Sequence, residues 1–205
     1  LPLDQERRRT SSAEDPEGLG LSPREVHWWI EAMRGAFCDR ATALGDPAFV
    51  PDPTERLLDP EWTLHRRVEI GERARPDLPP PDEDAFSGSL LEGTDTTHLC
   101  VIDVDGNAVS LTTTLNSAFG AAMLVPGAGV LLNNQIDDFA LGDSANQFGL
   151  VGASANQVEG GKRPLSSMTP TVLRDGGEVT TMVLGSPGGP RIITSVLQVI
   201  LRTLV

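Results

Sequence analysis

No tyrosine occurs in the 205 residues, and Lys162 is the only lysine. Basic charge as a whole is scarce: 16 Lys and Arg face 29 Asp and Glu, a formal net charge of -13. A nucleic-acid partner needs a basic face to neutralise phosphates, so this balance argues against one. The two cysteines, Cys38 and Cys100, are too few for a disulfide framework. Both are expected as small core residues, Cys38 on the apolar side of a helix and Cys100 in a strand. His27, His65 and His98 lack metal-ligand spacing, so no metal site is expected. No apolar run is long enough to cross a bilayer as a helix.

What is present is enough chain for one domain with a sizeable core. Its ends read as cut. Residue 1 is Leu with no leader pattern after it, and the apolar helix expected over 194–205 stops without a cap. A piece of a longer protein is therefore expected. Residues 1–21 are polar and read as a loop or frayed end. Ser22-Pro23-Arg24-Glu25 then starts a helix: Ser22 caps, Pro23 suits the first helical position and Glu25 completes a capping box. Val26, Trp29, Ile30, Met33, Phe37, Ala41 and Leu44 follow at helical spacing, which predicts one buried face ending at Gly45. Asp59-Pro60 opens a second, weaker helix running to about Arg73.

Residues 74–94 change character. Pro76, Pro79, Pro80 and Pro81 mix with Asp77, Asp82, Glu83 and Asp84, then Ser and Gly. An exposed linker is expected. Two hairpins follow, each with a Gly-containing turn: 98–104 with 107–115 around Asp105-Gly106, and 169–174 with 178–184 around Asp175-Gly176-Gly177. A further buried strand is expected over 129–133 and an irregular loop, long enough to act as a lid, over 141–161. A final helix follows Gly185-Ser186-Pro187-Gly188-Gly189-Pro190. Helices, then antiparallel hairpins, then a helix fit an α+β fold, an αββα sandwich, and lack the βαβ alternation of a doubly wound sheet.

Between linker and first hairpin lies Gly93-Thr94-Asp95-Thr96-Thr97-His98. By itself Thr-Thr-His is an ordinary opening to a strand. Cut at the Asp95–Thr96 bond, it becomes something else. Thr96 then carries a hydroxyl nucleophile and an α-amine base in one residue. The amine's ordinary pKa, near ~8, leaves a useful neutral fraction to take the hydroxyl proton.

Five segments in order carry a family resemblance: Thr96-Thr97-His98 with Asp105-Gly106-Asn107-Ala108-Val109; Thr112-Thr113-Thr114-Leu115-Asn116; Leu131-Leu132-Asn133-Asn134-Gln135-Ile136-Asp137-Asp138-Phe139; Lys162-Arg163-Pro164-Leu165-Ser166-Ser167-Met168; and Gly185-Ser186-Pro187-Gly188-Gly189. Together they resemble γ-glutamyltranspeptidase (glutathione hydrolase), an N-terminal-nucleophile hydrolase, over roughly residues 22–205 and most strongly from Thr96 onward. The resemblance implies self-cleavage between Asp95 and Thr96. Residues 1–95 would then be the end of a large subunit, and 96–205 most of a small subunit paired with it. Thr96 resembles the nucleophile and Thr114 the hydroxyl that orients it. Asn116, Gln135 and Asp138 resemble the holders of the substrate α-amine, a task suited to one carboxylate and two amide oxygens. Ser166 and Ser167 resemble the α-carboxylate binders. Gly188 and Gly189 resemble the oxyanion hole, and two glycine N–H groups at a helix start suit a developing negative charge.

The implied reaction moves the γ-glutamyl group of glutathione or its conjugates to water, an amino acid or a peptide through an ester on Thr96. It needs no cofactor and no metal. The family's setting implies a periplasmic or extracellular location. Two departures stand out. The family's carboxylate-binding Arg lies upstream of this chain, and the lid position that carries a Tyr in bacterial relatives is Phe148 here, a ring without its hydroxyl. Alternatives are a glutaryl-cephalosporin (β-lactam) acylase on the same scaffold, or an inactive homologue or fragment. Asp138 favours the glutamyl reading, because a glutaryl group has no amine for it to hold. Gly185-Ser186-Pro187-Gly188-Gly189 does not fit a G-x-S-x-G elbow, and Gly160-Gly161-Lys162 does not fit a phosphate loop.

Overall fold

A computed structural model describes residues 21–76, 95–140, 142, 146, 150, 152–176 and 179–204. The polar start, most of the Pro- and acid-rich linker, Gly177 in the second turn and Phe148 lie outside the described residues. The described chain forms two compact units, residues 21–40 with 53–76, and residues 41–52 with 95–204.

The first unit is helical. Helix α1, Pro23–Ala43, starts as its capping box requires: Ser22 N donates to Glu25 Oε2 at 2.7 Å, and Glu25 N to Ser22 Oγ at 3.3 Å. Its expected apolar face is not what it buries. Val26 and Ile30 are 41% and 47% exposed, while Glu31 and Gly35 are buried. The cause is an ion-pair cluster. Glu31 accepts from Arg34 Nη1 at 2.5 Å and from Arg75 Nε at 3.2 Å, and Gly35 leaves room for the Arg75 guanidinium. Burial pushes the Glu31 carboxyl up, but the hydrogen bonds from Arg34 and Arg75 outweigh it and hold the group below the usual range.

A short helix α2, Thr54–Leu58, had no counterpart in the sequence reading. Helix α3, Pro60–Val68, opens as expected, with the Asp59 side chain accepting from Glu61 N at 2.7 Å and Trp62 N at 3.2 Å. It ends short of Arg73. Glu69 turns to Arg66 and Arg75, and the Gly71 carbonyl meets the His27 ring at 2.8 Å instead of a following helical N–H.

The second unit holds the strands. Strands β1, Thr96–Ile102, and β2, Ala108–Thr114, pair antiparallel in a register that puts Thr96 opposite Thr114. Asp103 closes their turn by accepting from Asp105 N, Asn107 N and Asn107 Nδ2, with Gly106 at φ +83°. The short pair β3, Leu124–Val125, and β4, Val130–Leu131, replaces the buried strand expected over 129–133. Val130 and Leu132 are instead 55% and 43% exposed.

Strands β5, Thr171–Arg174, and β6, Thr180–Leu184, form the second hairpin, with a register shift after Leu173. It meets the first at Ser110, whose hydroxyl donates to Leu184 O at 3.0 Å and accepts from Thr171 N at 3.1 Å. Cys100, the register partner of Ser110, is exposed, against the expectation of a core residue; Cys38 is only half-buried. Helix α4, Arg191–Leu204, buries Ile192 and Val196, which with Phe139 and Ala140 are the buried apolar side chains among the described residues. The fold is thus helices with antiparallel hairpins.

Candidate active site

Strand register places the first pair of site residues. Thr96 opens β1 and Thr114 closes β2, and the Thr96 hydroxyl donates to Thr114 Oγ1 at 3.3 Å. Thr114 Oγ1 also accepts from Asn116 N at 3.0 Å. That second bond requires the chain to turn back sharply, which Asn116 does at φ +79°, a left-handed conformation Asn tolerates better than most residues.

The residues expected to hold a substrate amine are joined by Asn134, to which sequence reasoning assigned no role. Its side chain accepts from Ser117 N at 3.0 Å and donates to Ser117 Oγ at 3.0 Å, and its carbonyl accepts from Asn116 Nδ2 at 3.5 Å. The next residues, Gln135–Asp138, form a single 3-10 turn. Asn116, Gln135 and Asp138 are therefore held by one local network, and Asp138 is half-buried.

Two further residues escaped the sequence reading. Asn156 is buried at 6% exposure inside the segment read as an irregular loop. Its Nδ2 donates to Asp138 O at 2.8 Å and its Oδ1 accepts from Leu165 N at 3.0 Å, next to Ser166 and Ser167. Asp46 holds the same stretch from its other end. Its carboxylate, 1% exposed, accepts from Arg163 N, Nε and Nη2 at 2.9, 3.1 and 2.8 Å, and from Ala48 N at 3.1 Å. Neither residue has a local sequence signal, because each partner is distant in the chain or in the backbone. Ser166 Oγ accepts from Met168 N at 3.1 Å, which holds the Ser pair in a turn.

The hydrogen bonds from Arg163 hold the Asp46 carboxyl well below the ordinary carboxylate value. A folded pKa below the unfolded one stabilises above the unfolded value, about 3.9, and that contribution is lost as pH falls through the folded value. Asp46→Asn should therefore lower stability by a constant amount from about pH 5 to pH 8, a gap that shrinks below about pH 4. Urea unfolding across this range checks it; a gap that stays constant into acid means Asp46 acts by shape alone.

Gly188 and Gly189 lie at the start of α4 with φ of +125° and +54°. Their carbonyls accept from Arg191 N and Ile192 N, both at 3.1 Å, as the helix begins. The loop that carries them starts at Gly185, packed so tightly on the His98 ring that any Cβ there would collide with it. His98 in turn is set by Thr112 Oγ1 at 2.8 Å and Cys100 Sγ at 3.0 Å. The strand bearing Thr96 thus also seats the glycine loop. Among the described residues no group of three or more His, Cys, Asp and Glu side chains could hold a metal ion, and no helix is long and apolar enough to cross a membrane.

The family model described as Gamma-glutamyltranspeptidase matches residues 8–205. The glutathione hydrolase proenzyme of Pseudomonas aeruginosa is 44% identical over 94% of this chain and 34% of its own length. That of Escherichia coli is 42% identical over 85% of this chain and 30% of its own. The chain spans about a third of the length of these curated relatives. Two solved structures, an acivicin-inhibited γ-glutamyltranspeptidase and a Thr-to-Ala mutant of the Helicobacter pylori enzyme, each match at TM-score 0.50 and 51% identity. Each match covers 53% of this chain, and 57% and 58% of theirs. With the motifs in family order, the threonine pair in register and the family model spanning nearly all of it, this chain belongs to the γ-glutamyltranspeptidase family.

Proposed function

We propose that this chain carries the nucleophile, the α-amine site, the Ser pair and the oxyanion loop of a γ-glutamyltransferase that hydrolyses glutathione. The observation that carries the reading is the Thr96 hydroxyl donating to Thr114 Oγ1 across the strand pair. In the uncut chain Thr96 Oγ1 attacks the Asp95 carbonyl carbon, the acyl group moves from nitrogen to oxygen, and water hydrolyses the ester. Residues 1–95 and 96–205 then belong to two subunits of one precursor, completing an αββα sandwich. The word proenzyme in the relatives' names fits such maturation.

Once Thr96 is N-terminal, its α-amine takes the hydroxyl proton as Oγ1 attacks the γ-glutamyl carbonyl. The Gly188 and Gly189 N–H groups stabilise the oxyanion. The amine leaving group departs with that proton, and water or the amine of an amino acid or peptide resolves the Thr96 ester. The chemistry uses side chains and backbone alone. Asn116 already spends its Nδ2 on Asn134 O, which leaves Oδ1 as the atom suited to a substrate ammonium, beside Gln135 and the Asp138 carboxylate. Ser166 and Ser167 receive the α-carboxylate. The setting is periplasmic or extracellular. The relatives' names favour this reading over the glutaryl acylase.

Asp138→Asn tests it. In the full-length protein the exchange should cost a γ-glutamyl anilide about 1.5–3 kcal/mol of binding, one charge-assisted hydrogen bond. A glutaryl anilide, which has no amine, should be spared, and maturation should continue. Equal losses on both substrates would remove Asp138 from the amine site.

A further inference from the structure

Asn156 links the two halves of the amino-acid site. Its position is unusual for a polar side chain: 6% exposed, between Phe139-Ala140 and the Ser166-Ser167 stretch, with both amide atoms engaged by backbone. Nδ2 reaches the carbonyl of Asp138 and Oδ1 the N–H of Leu165, at 2.8 and 3.0 Å. The amide has one orientation that satisfies both, since a carbonyl needs a donor and an N–H an acceptor. The Asn156 carbonyl adds a third tie, accepting from Ala140 N at 2.9 Å. Ala140 is also bridged to Gln157, and Gly152 packs so closely that a Cβ there would sit 2.9 Å from Ala140 Cβ.

We propose that Asn156 is a positioning residue that sets the distance between the ammonium-binding carboxylate of Asp138 and the carboxylate-binding hydroxyls of Ser166 and Ser167. The proposal rests on the reading of those three residues given above. An α-amino acid presents its ammonium and carboxylate on one carbon, so a receptor built from two chain segments must hold them at one spacing. Asn156 joins the backbones of both segments through a single short, buried side chain. Truncating it leaves a half-buried carbonyl and a half-buried N–H without these partners, one on Asp138 itself and one next to Ser166. Thr96 and Thr114 are held by strand pairing and Asn116 instead, so the chemical step does not depend on this tie.

The test uses the full-length protein with γ-glutamyl and glutaryl anilides. Asn156→Asp keeps an acceptor for Leu165 N–H and loses the donor to the Asp138 carbonyl. Asn156→Gln keeps both groups and lengthens the tie by one methylene. Each should raise KM for the γ-glutamyl anilide about tenfold while kcat stays within about twofold and self-cleavage proceeds. Turnover of the glutaryl anilide should change by less than about threefold, because it needs only the Ser half. If either variant lowers kcat on both substrates in parallel, or leaves the γ-glutamyl KM unchanged, Asn156 is a packing residue and the proposal fails. If Asp138→Asn shows the expected discrimination while both Asn156 variants do not, the tie alone is wrong. If Asp138→Asn itself spares neither substrate, the amine-site reading beneath the proposal is overturned with it.

Discussion

Thr96→Ala should leave the full-length protein as one chain and remove turnover of a γ-glutamyl anilide, on the order of a million-fold, the scale seen when a nucleophile that works as part of a unit is deleted. Both losses have one cause. In the proposed mechanism the hydroxyl that attacks the Asp95 carbonyl is the hydroxyl that later attacks substrate, and the same cleavage that frees it supplies its base. A chain-interior Thr lacks that base, so an uncut protein has neither a processed terminus nor a competent nucleophile. The register of β1 and β2 makes the expectation specific: Thr96 is the Thr facing Thr114, whereas Thr97 faces Thr113 one position along, on the other side of the pleat. Thr97→Ala should therefore mature normally. Mass spectrometry of the denatured protein follows cleavage and anilide release follows turnover. Cleavage of Thr96→Ala at the same bond, or its loss in Thr97→Ala alone, would move the nucleophile elsewhere.

The second large effect is expected at Gly188. A Cβ there would meet only Arg191 Cβ, at 3.8 Å, an ordinary contact. Space is not the obstacle. The obstacle is φ +125°, a conformation open to glycine and strained for any other residue, at a cost of about 1–3 kcal/mol. Gly188→Ala is expected to relieve that strain by rotating the peptide, turning its N–H away from the proposed oxyanion position. Loss of one such donor lowers kcat by about 10² to 10³. KM should hardly move, because the oxyanion exists in the transition state and not in the bound substrate. The proposed self-cleavage would pass through an oxyanion of its own and should slow in step if it uses the same donors. A rise in KM with kcat intact would assign Gly188 to ground-state binding. The neighbouring Gly185 offers a contrast, since a side chain there collides with the His98 ring and acts through space instead of through φ.

The features legible from sequence are those whose partners lie a few residues away. Ser22 and Glu25 cap α1 as a local pair, Asp59 caps α3, and Asp105-Gly106 lies in the turn of the first hairpin. Each is a hydrogen bond or a φ preference written in adjacent residues, so composition and spacing suffice. The candidate site residues were named for a different reason. Their order follows a family pattern, and strand register then brought Thr96 to Thr114 without further information.

What tertiary structure decided involves partners far apart in the chain. The apolar spacing of α1 predicted its buried face wrongly, because burial depends on what arrives against it, and Arg75 arrives at Glu31 from outside the helix. Cys100 carries the pattern of a covered strand and lies exposed although it pairs with Ser110, where the second hairpin bonds. Asp46 gives no hint in sequence of its bonds to Arg163, more than a hundred residues on. Asn156 is the sharpest case. Asn in a Gly- and Ser-rich stretch reads as a turn residue, since its side chain bonds backbone nearby as readily as backbone far away. Only the folded chain brings the Asp138 carbonyl and the Leu165 N–H to opposite ends of one amide.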